Sequence, residues 1–206
     1  MPDPRRVPAH GLVAAGGDLT PGTVLAAYRA GIFPWPDADG RLLWFSPDPR
    51  AILPLDGFHE SRSLKRTRRR GRFAVTRDRA FAAVIADCAM AHGTTWITPE
   101  MQAAYVELHR LEWAHSVEVW EEERLVGGVY GVTVGGLFAA ESMFHHASDA
   151  SKVALAALVE HLAGRGFTLL DVQLLTPHLA SLGAIALSRP EYLARLEAAL
   201  AFPAVW

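Results

Sequence analysis

Two apolar, strand-like stretches separated by one helical segment constrain the fold of this chain most strongly. The stretches cover residues 137–144 and 168–174, and the pattern of residues 151–166 between them predicts a helix that ends in glycines. Two strands joined by one helix pair in parallel through a right-handed crossover. We therefore expect these two strands to be neighbours in one sheet.

Both stretches carry polar residues inside an otherwise apolar run. Glu141 lies in the first, and Asp171 and Gln173 lie in the second. Because side chains alternate along a strand, Asp171 and Gln173 share a face. Burying a carboxylate without a partner is costly, so a reason for its presence is expected. Two interpretations stay open: a polar pair satisfied by neighbouring backbone, or a catalytic site at the ends of two adjacent strands.

Helix signals and proline-rich segments divide the chain. Thr20 as N-cap and Pro21 at the first position predict a helix that closes at Gly31. The aromatic, proline-rich stretch 32–50 excludes regular helix. We therefore predict a small N-terminal domain over residues 1–49 and a larger domain over residues 50–206.

The larger domain has the element order β-α-α-β-β-β-α-β-α after residue 72. A strand begins at Phe73, helices follow with Asp78 and Thr98 as caps, and residues 115–120 and 125–134 form a hairpin. This order resembles the GCN5-related acyltransferases, an α/β (α+β) fold with a mixed sheet and helices on both faces. That fold implies a splay between two strands, with Glu141 on one lip and Asp171 and Gln173 on the other.

The junction after residue 144 departs from the acetyl-CoA enzymes of that fold. Those enzymes carry a glycine-rich loop whose backbone amides hold the pyrophosphate at a helix N-terminus. Residues 144–152 contain no glycine. The sequence therefore favours an acyl donor other than coenzyme A.

The composition excludes several classes of protein. Half of the 206 residues are hydrophobic, enough for a sizeable core, and the single cysteine, Cys88, excludes an internal disulfide. The start of the chain is rich in proline and arginine, unlike a signal peptide, and no apolar run approaches the roughly 18 residues of a membrane span. The nine histidines match no zinc spacing. We expect a cytoplasmic protein with no metal, no cofactor and no membrane partner.

Positive charge is concentrated in one segment although the formal net charge is only −2. Residues 62–79 hold nine of the twenty basic residues, eight of them arginines, against the single acidic residue Asp78. A basic run is often only a solvated face, but this density also suits a nucleic-acid partner. The expected phosphate-binding residues are Arg62, Lys65, Arg66, Arg68, Arg69 and Arg70.

Ten blocks in the same order resemble the leucyl/phenylalanyl-tRNA–protein transferase family. They include G-I-F-P-W-P at 31–36, A-A-E-S-M-F at 139–144 and D-V-Q-L-L-T at 171–176, within the blocks 11–21, 27–36, 43–53, 59–66, 95–98, 114–120, 125–132, 137–144, 150–155 and 171–184. The resemblance implies transfer of Leu or Phe, with Met as a further candidate, from aminoacyl-tRNA to the N-terminal Lys or Arg of acceptor proteins. It also implies marking of those proteins for degradation by the N-end rule, with no cofactor and a monomeric enzyme.

The resemblance also assigns roles to residues. It implies that Asp171, Gln173 and Glu141 are catalytic and that Trp35, Trp96 and Phe138 line the pocket for the donor side chain. Four further pocket positions depart from the common residues of the family, Met, Phe, Phe and Asn; they are Val129, Leu158, Leu162 and Thr176. Gln173 either orients the attacking amine or donates to the developing oxyanion. Two rival functions stay open: an acetyl-CoA-dependent N-acetyltransferase and a non-catalytic tRNA-binding module.

Overall fold

A computed structural model describes residues 2–91 and 96–206 of the chain. Thr95, the first residue of the block 95–98, lies outside the described residues. The described chain forms eighteen elements, including one short 3-10 helix at Pro4–Arg6. The strands are β1 Leu12–Ala15, β2 Phe33–Pro34, β3 Leu43–Phe45, β4 Arg50–Ile52, β5 Ala74–Arg77, β6 Ala114–Glu121, β7 Arg124–Val134, β8 Leu137–His145, β9 Leu169–Gln173 and β10 Ile185–Leu187. The α-helices are α1 Pro21–Arg29, α2 Arg62–Arg69, α3 Phe81–Met90, α4 Pro99–Arg110, α5 Ala150–Gly164, α6 Pro177–Ser181 and α7 Arg189–Leu200.

Seven strands form one mixed sheet in the order β10-β4-β9-β8-β7-β6-β5. The β8–β9 pair is parallel, as predicted for two strands joined by the helix α5, while the other neighbours in this sheet are antiparallel. Strand β4 comes from far upstream and inserts between β9 and β10. This insertion places Arg50 next to the strand that carries Asp171.

Helices cover both faces of the mixed sheet, which confirms the predicted α/β (α+β) architecture. The helices α3, α4 and α7 pack on one face with α1, and α5 packs on the other face with α2 against it. One buried cluster lies under each set of helices. No helix in the two described stretches is both long and apolar enough to cross a bilayer.

Three features of the fold differ from the sequence prediction. Asp78 does not cap α3, whose N-cap is Ala80; it adopts a φ of 55° and accepts hydrogen bonds from the backbone of Ser116 and from His115. The structure has a strand, β10, between α6 and α7 that the predicted element order does not contain. The basic segment begins with a helix, α2, which Ser61 caps by accepting a hydrogen bond from the backbone of Leu64.

The N-terminal part has its own small sheet but not its own core. Strands β1, β3 and β2 form a three-stranded sheet that ends at Phe45, while Arg50 begins a strand of the large sheet. Val24 and Trp44 nevertheless belong to the same buried cluster as Phe81 and Leu193. The boundary at residue 49 remains a prediction.

Candidate active site

The candidate site forms where β8 and β9 separate. Their parallel pairing runs from Leu137–Leu169 only to Ala139–Asp171. Beyond this point each strand contains a bulge. Glu141 has no partner residue in the pairing of β8 with β7, and Val172 has none in the pairing of β9 with β4. Bulges of this kind re-aim side chains. Here they bring Glu141 and Gln173 together at the splay.

Gln173 lies at the centre of a tight turn that ends β9. Its φ is 54°, and the backbone N–H of Leu174 donates to the carbonyl of Val172 at 2.7 Å, which is a γ-turn. The side-chain Nε2 of Gln173 donates to Oε1 of Glu141 at 3.1 Å. A non-glycine residue in this conformation persists only when its surroundings hold it there, which is common at functional sites.

Asp171 holds the backbone of this turn. Its Oδ1 accepts the backbone N–H of Gln173 at 2.9 Å and Nε of Arg50 at 3.0 Å. Its Oδ2 accepts Nη2 of Arg50 at 2.6 Å and the hydroxyl of Tyr192 at 2.8 Å. Asp171 is fully buried, so its carboxylate has no surface left for substrate.

Arg50 compensates the buried charge of Asp171. Its guanidinium lies over the rings of Phe33 and Tyr192, with its central carbon 4.6 and 4.5 Å from the ring centroids. Its Nη1 donates to the carbonyl of Gly31 at 3.1 Å. Burial is the largest single influence and works to lower the pKa of Arg50, but the charge of Asp171, the hydroxyl of Tyr192 and the hydrogen bonds to Asp171 together raise this pKa.

Glu141 lies at the inner end of the splay, and its carboxyl group lines the cavity. Its Oε1 accepts Nε2 of Gln173, and its Oε2 accepts the hydroxyl of Tyr105 at 3.1 Å. Burial raises the pKa of Glu141 to about 7, while the hydroxyls of Tyr28 and Tyr105 work to lower it. A carboxyl group with a pKa near neutrality suits proton transfer at physiological pH.

The cavity at the splay has a volume of about 630 Å³ and joins an aromatic wall to these polar groups. Trp35 and Trp96 stack with ring centroids 5.0 Å apart and an interplanar angle of 21°. Val129 lines the same cavity, and so does Thr176, whose hydroxyl accepts the backbone N–H of Leu179 at the start of α6. Four of the seven residues predicted to line the donor pocket therefore line this cavity: Trp35, Trp96, Val129 and Thr176.

The other three predicted pocket residues are core residues in this structure. Phe138, Leu158 and Leu162 are fully buried in the cluster under α5, and none of them lines the cavity. Phe138 stacks instead on Trp206, with centroids 5.4 Å apart. Met143 and Leu155 line the cavity in their place.

The predicted phosphate-binding residues lie on α2 and just after it. Arg62, Lys65, Arg66, Arg69 and Arg70 are exposed. Arg68 differs, because it is partly buried and donates to Glu60 and Glu160 at 3.0 and 2.7 Å. Helix α2 is joined to the cavity, since Thr67 donates to Asp149 at 3.2 Å and Asp149 lines the cavity.

A second polar cluster lies away from the cavity. Ligand atoms of Asp78, His109 and His115 all lie within 4.8 Å of one another, a spacing that a metal ion could use. The ring nitrogens are already engaged, however: His115 with Asp78 at 2.8 Å and with the carbonyl of Glu112 at 3.2 Å, and Nδ1 of His109 with the carbonyl of Ala114 at 2.8 Å. We assign this cluster a role in joining β6 to the loop before α3.

The sequence analysis did not identify four residues that shape the site: Arg50, Tyr28, Tyr105 and Tyr192. Arg50 and Tyr28 lie within the blocks 43–53 and 27–36, and Tyr105 lies on the buried stripe of α4. A tyrosine on a buried stripe needs a partner for its hydroxyl, which was the available signal.

Comparison with known proteins gives a consistent result. The sequence profile described as leucyl/phenylalanyl-tRNA protein transferase matches residues 52–197, and the profile of its N-terminal domain matches residues 17–48. A leucyl/phenylalanyl-tRNA–protein transferase of an Anaeromyxobacter species is 53% identical over 207 residues, which cover 98% of this chain and 88% of that protein. A protein of the same name from Dechloromonas aromatica is 50% identical over 192 residues, which cover 91% and 82%. Among solved structures, L-PGS from Bacillus licheniformis has a TM-score of 0.44 at 14% identity, covering 64% of this chain and 49% of that one, a likeness too distant to carry an argument.

Proposed function

We propose a specific acyl transfer for this chain, which belongs to the leucyl/phenylalanyl-tRNA–protein transferase family and is therefore an aminoacyltransferase. The enzyme moves Leu or Phe, with Met as a further candidate donor, from aminoacyl-tRNA to the N-terminal Lys or Arg of an acceptor protein. One observation carries the proposal: a single cavity joins an aromatic wall to the Glu141–Gln173 pair.

The aromatic wall binds the donor side chain. Trp35 and Trp96 provide a flat apolar surface, and Val129, Met143 and Leu155 complete the lining. Burial of an apolar side chain against this surface contributes about 25 cal/mol per Å². An unbranched or aromatic side chain fits a slot beside stacked rings better than a β-branched one, although a difference of one methylene is worth only about 1–3 kcal/mol.

The polar groups carry out the transfer. The aminoacyl ester is already activated, so catalysis needs orientation of the acceptor and removal of a proton from its ammonium group. The free amine attacks the ester carbon, a new C–N bond forms, and the C–O bond to the terminal ribose breaks. The proton that the attacking nitrogen loses in this step passes to the ribose oxygen, which leaves as a hydroxyl group. Glu141 accepts the proton of the ammonium group, as its pKa of about 7 suits this proton transfer. Because Nε2 of Gln173 is engaged by Glu141, its Oε1 is the atom that accepts a hydrogen bond from the amine.

The exposed cations of α2 bind the tRNA backbone. They lie on the element that contacts the start of α5, at the edge of the cavity. Arginine and lysine side chains without a carboxylate partner are free to contact phosphates. Arg68 supports α2 through Glu60 and Glu160 and is not a phosphate contact in this proposal.

The acceptor is a protein with a basic N-terminal residue. The carboxylate of Glu141 lines the cavity and favours a cationic substrate there, whereas the other carboxylate of the lining, Asp149, pairs with Lys152 at 3.1 Å. The product carries a new N-terminal Leu or Phe, and we propose that this residue marks the acceptor for degradation by the N-end rule.

The rival N-acetyltransferase function fits this cavity less well. The loop over residues 144–152 contains no glycine, and the N-cap of α5 is Asp149, whose carboxylate binds Lys152 at 3.1 Å. Acetyl-CoA enzymes of this fold instead use a glycine-rich loop here, whose backbone amides hold the pyrophosphate.

A transfer assay tests the proposed function directly. Radiolabelled leucyl-tRNA and phenylalanyl-tRNA are mixed with peptides that begin with Lys, Arg or Asp, and label in the peptide is measured. We expect label in the Lys and Arg peptides only, no acetyl transfer from acetyl-CoA, and at least about tenfold less transfer by Gln173→Ala. An inactive wild-type enzyme would overturn the proposed function, and a fully active Gln173→Ala enzyme would overturn the site assignment.

A further inference from the structure

Two tyrosine hydroxyls form a chain behind the carboxyl group of Glu141. Tyr28 on α1 and Tyr105 on α4 are buried, and their hydroxyl oxygens lie 2.5 Å apart. Tyr105 donates to Oε2 of Glu141 at 3.1 Å. Because a hydroxyl has one proton, Tyr28 must be the donor in its bond to Tyr105.

This chain sets the state of the carboxyl group that holds Gln173. Ionised Glu141 can only accept hydrogen bonds, so it takes one from Tyr105 at Oε2 and one from Nε2 of Gln173 at Oε1. The amide of Gln173 then presents Oε1 away from Glu141. A protonated Glu141 could donate instead, and the amide orientation would no longer be determined.

We propose that Tyr28 and Tyr105 are positioning residues for the transfer reaction: their hydroxyl chain keeps Glu141 ionised and oriented, and thereby fixes the side-chain amide of Gln173 toward the acceptor amine. The inference deepens the proposed function and rests on it. Neither tyrosine lines the cavity, so both act through Glu141.

Several charged and titratable groups face Glu141 from the elements around it. Those that act on Glu141 electrostatically are Tyr28 on α1, Tyr105 on α4, Tyr130 on β7, Arg50 on β4, Asp171 on β9 and Tyr192 on α7. The other titratable side chains that line the same cavity are His145 on β8, Asp149 and Lys152 at the start of α5, and His178 on α6. Burial raises the pKa of Glu141 most, the charge of Asp171 raises it further, and the two tyrosines and Arg50 lower it. Removal of a tyrosine hydroxyl therefore raises this pKa.

The sign of the pH effect follows from the role of Glu141. A base works in its ionised form, so activity is present above the pKa of Glu141, about 7, and is lost as the pH falls through it. A variant in which this pKa is higher loses activity at a higher pH. Above both pKa values the variant and the wild type should be similar.

The chain contains a matched control for this experiment. Tyr130 is fully buried and its ring meets that of Tyr105 edge to face, with centroids 5.7 Å apart. Its hydroxyl has no hydrogen-bond partner among the described residues. Tyr130→Phe therefore removes a hydroxyl from the same aromatic cluster without removing a hydrogen bond to Glu141.

The experiment compares pH profiles of kcat/KM for transfer from leucyl-tRNA to a peptide that begins with Arg. We expect Tyr105→Phe to be about tenfold slower than wild type near pH 6 and within about twofold of it near pH 9, since a hydrogen bond to a charged group is worth roughly one pKa unit. Tyr28→Phe should shift the profile in the same direction, because the hydroxyl of Tyr28 also lowers the pKa of Glu141, and this variant keeps the test valid if Tyr105→Phe does not fold. Tyr130→Phe should follow the wild-type profile.

Two results would overturn the inference. Profiles of Tyr105→Phe and Tyr28→Phe that superimpose on the wild-type profile would show that the hydroxyl chain does not act on Glu141. An equal loss at every pH would show a structural role only. Failure of the proposed function is distinguishable, because in that case the wild-type enzyme itself transfers no amino acid.

Discussion

Some polar side chains at this site line the cavity, and others lie behind them and hold them in place. Glu141 and Gln173 line the cavity, whereas Asp171 is buried behind them and binds the backbone of Gln173 rather than its side chain. The simplest role for Asp171 is to hold the turn in which Gln173 has a φ of 54°. We therefore propose that Asp171 supports transfer by positioning Gln173.

This role predicts the effect of Asp171→Asn. The substitution leaves the guanidinium of Arg50 buried without a compensating charge, so we expect a loss of about 3–5 kcal/mol in the free energy of unfolding. It also weakens the acceptor for the backbone N–H of Gln173, and transfer should fall by at least about tenfold. Urea unfolding and the transfer assay measure the two effects.

A double variant separates the two effects of Asp171. Arg50→Met with Asp171→Leu removes both charges, and apolar replacement of a buried ion pair is often neutral or stabilising. We expect stability to recover relative to Asp171→Asn while transfer stays low. Recovery of transfer in the double variant would contradict a positioning role for Asp171.

At the scale of elements, the end of the β8–β9 pair creates the cavity and α2 provides its charged surroundings. Parallel pairing stops at Ala139–Asp171, and the two strands diverge with Glu141 on one and Gln173 on the other. Helix α2 packs against α5, whose first turn borders the cavity. The same helix therefore connects a cationic surface to the reaction centre.

The cationic surface predicts a salt-dependent contribution to tRNA binding. Arg66→Ala should reduce the slope of log affinity against log salt concentration by about one, because a lost phosphate contact releases one fewer counterion. Arg195→Ala is the matched control, since Arg195 is an exposed arginine on α7, against the other face of the sheet. Both variants should react normally with a short aminoacyl-adenosine. An equal slope change in the two variants would remove α2 from the tRNA surface.

At the scale of the molecule, the N-terminal part and the large sheet share one core. Tyr28 and Trp44 are buried in a cluster with residues of α3, α4 and α7. Arg50 joins the two parts again through the carbonyl of Gly31. Tyr28 also takes part in the hydroxyl chain to Glu141. The N-terminal part thus contacts the candidate active site as well as the core.

The shared core predicts a single unfolding transition for the whole chain. We expect urea curves from tryptophan fluorescence and from far-UV circular dichroism to coincide. A fragment of residues 50–206 should lack a cooperative transition, because it exposes the apolar surface that Tyr28, Ile32 and Trp44 cover. Cooperative unfolding of the fragment at the midpoint of the whole chain would instead support two independent domains.

Local patterns in the sequence were sufficient for the longer elements and for the parallel pair. Residues 151–166 correspond to α5, and strands 137–144 and 168–174 correspond to β8 and β9, because helical and strand periodicities are local properties. The alternation of side chains along β9 also predicted that Leu170 and Val172 lie on the face away from Asp171. Both pack in the buried cluster under α5. Strands of two or three residues, such as β2, β4 and β10, carry too few side chains to show a period.

Tertiary structure alone decided which partners the buried polar groups have. Arg50 and Asp171 are 121 positions apart, and Tyr28 and Tyr105 are 77 positions apart, so no local pattern relates them. The family resemblance implies that Phe138, Leu158 and Leu162 line the donor pocket. The core and the walls of a pocket are both made of buried apolar side chains, so the sequence does not distinguish one location from the other. Only the packing of α5 on the sheet separates the two, because it fills the space around these three residues and leaves the cavity open beside Trp35 and Trp96.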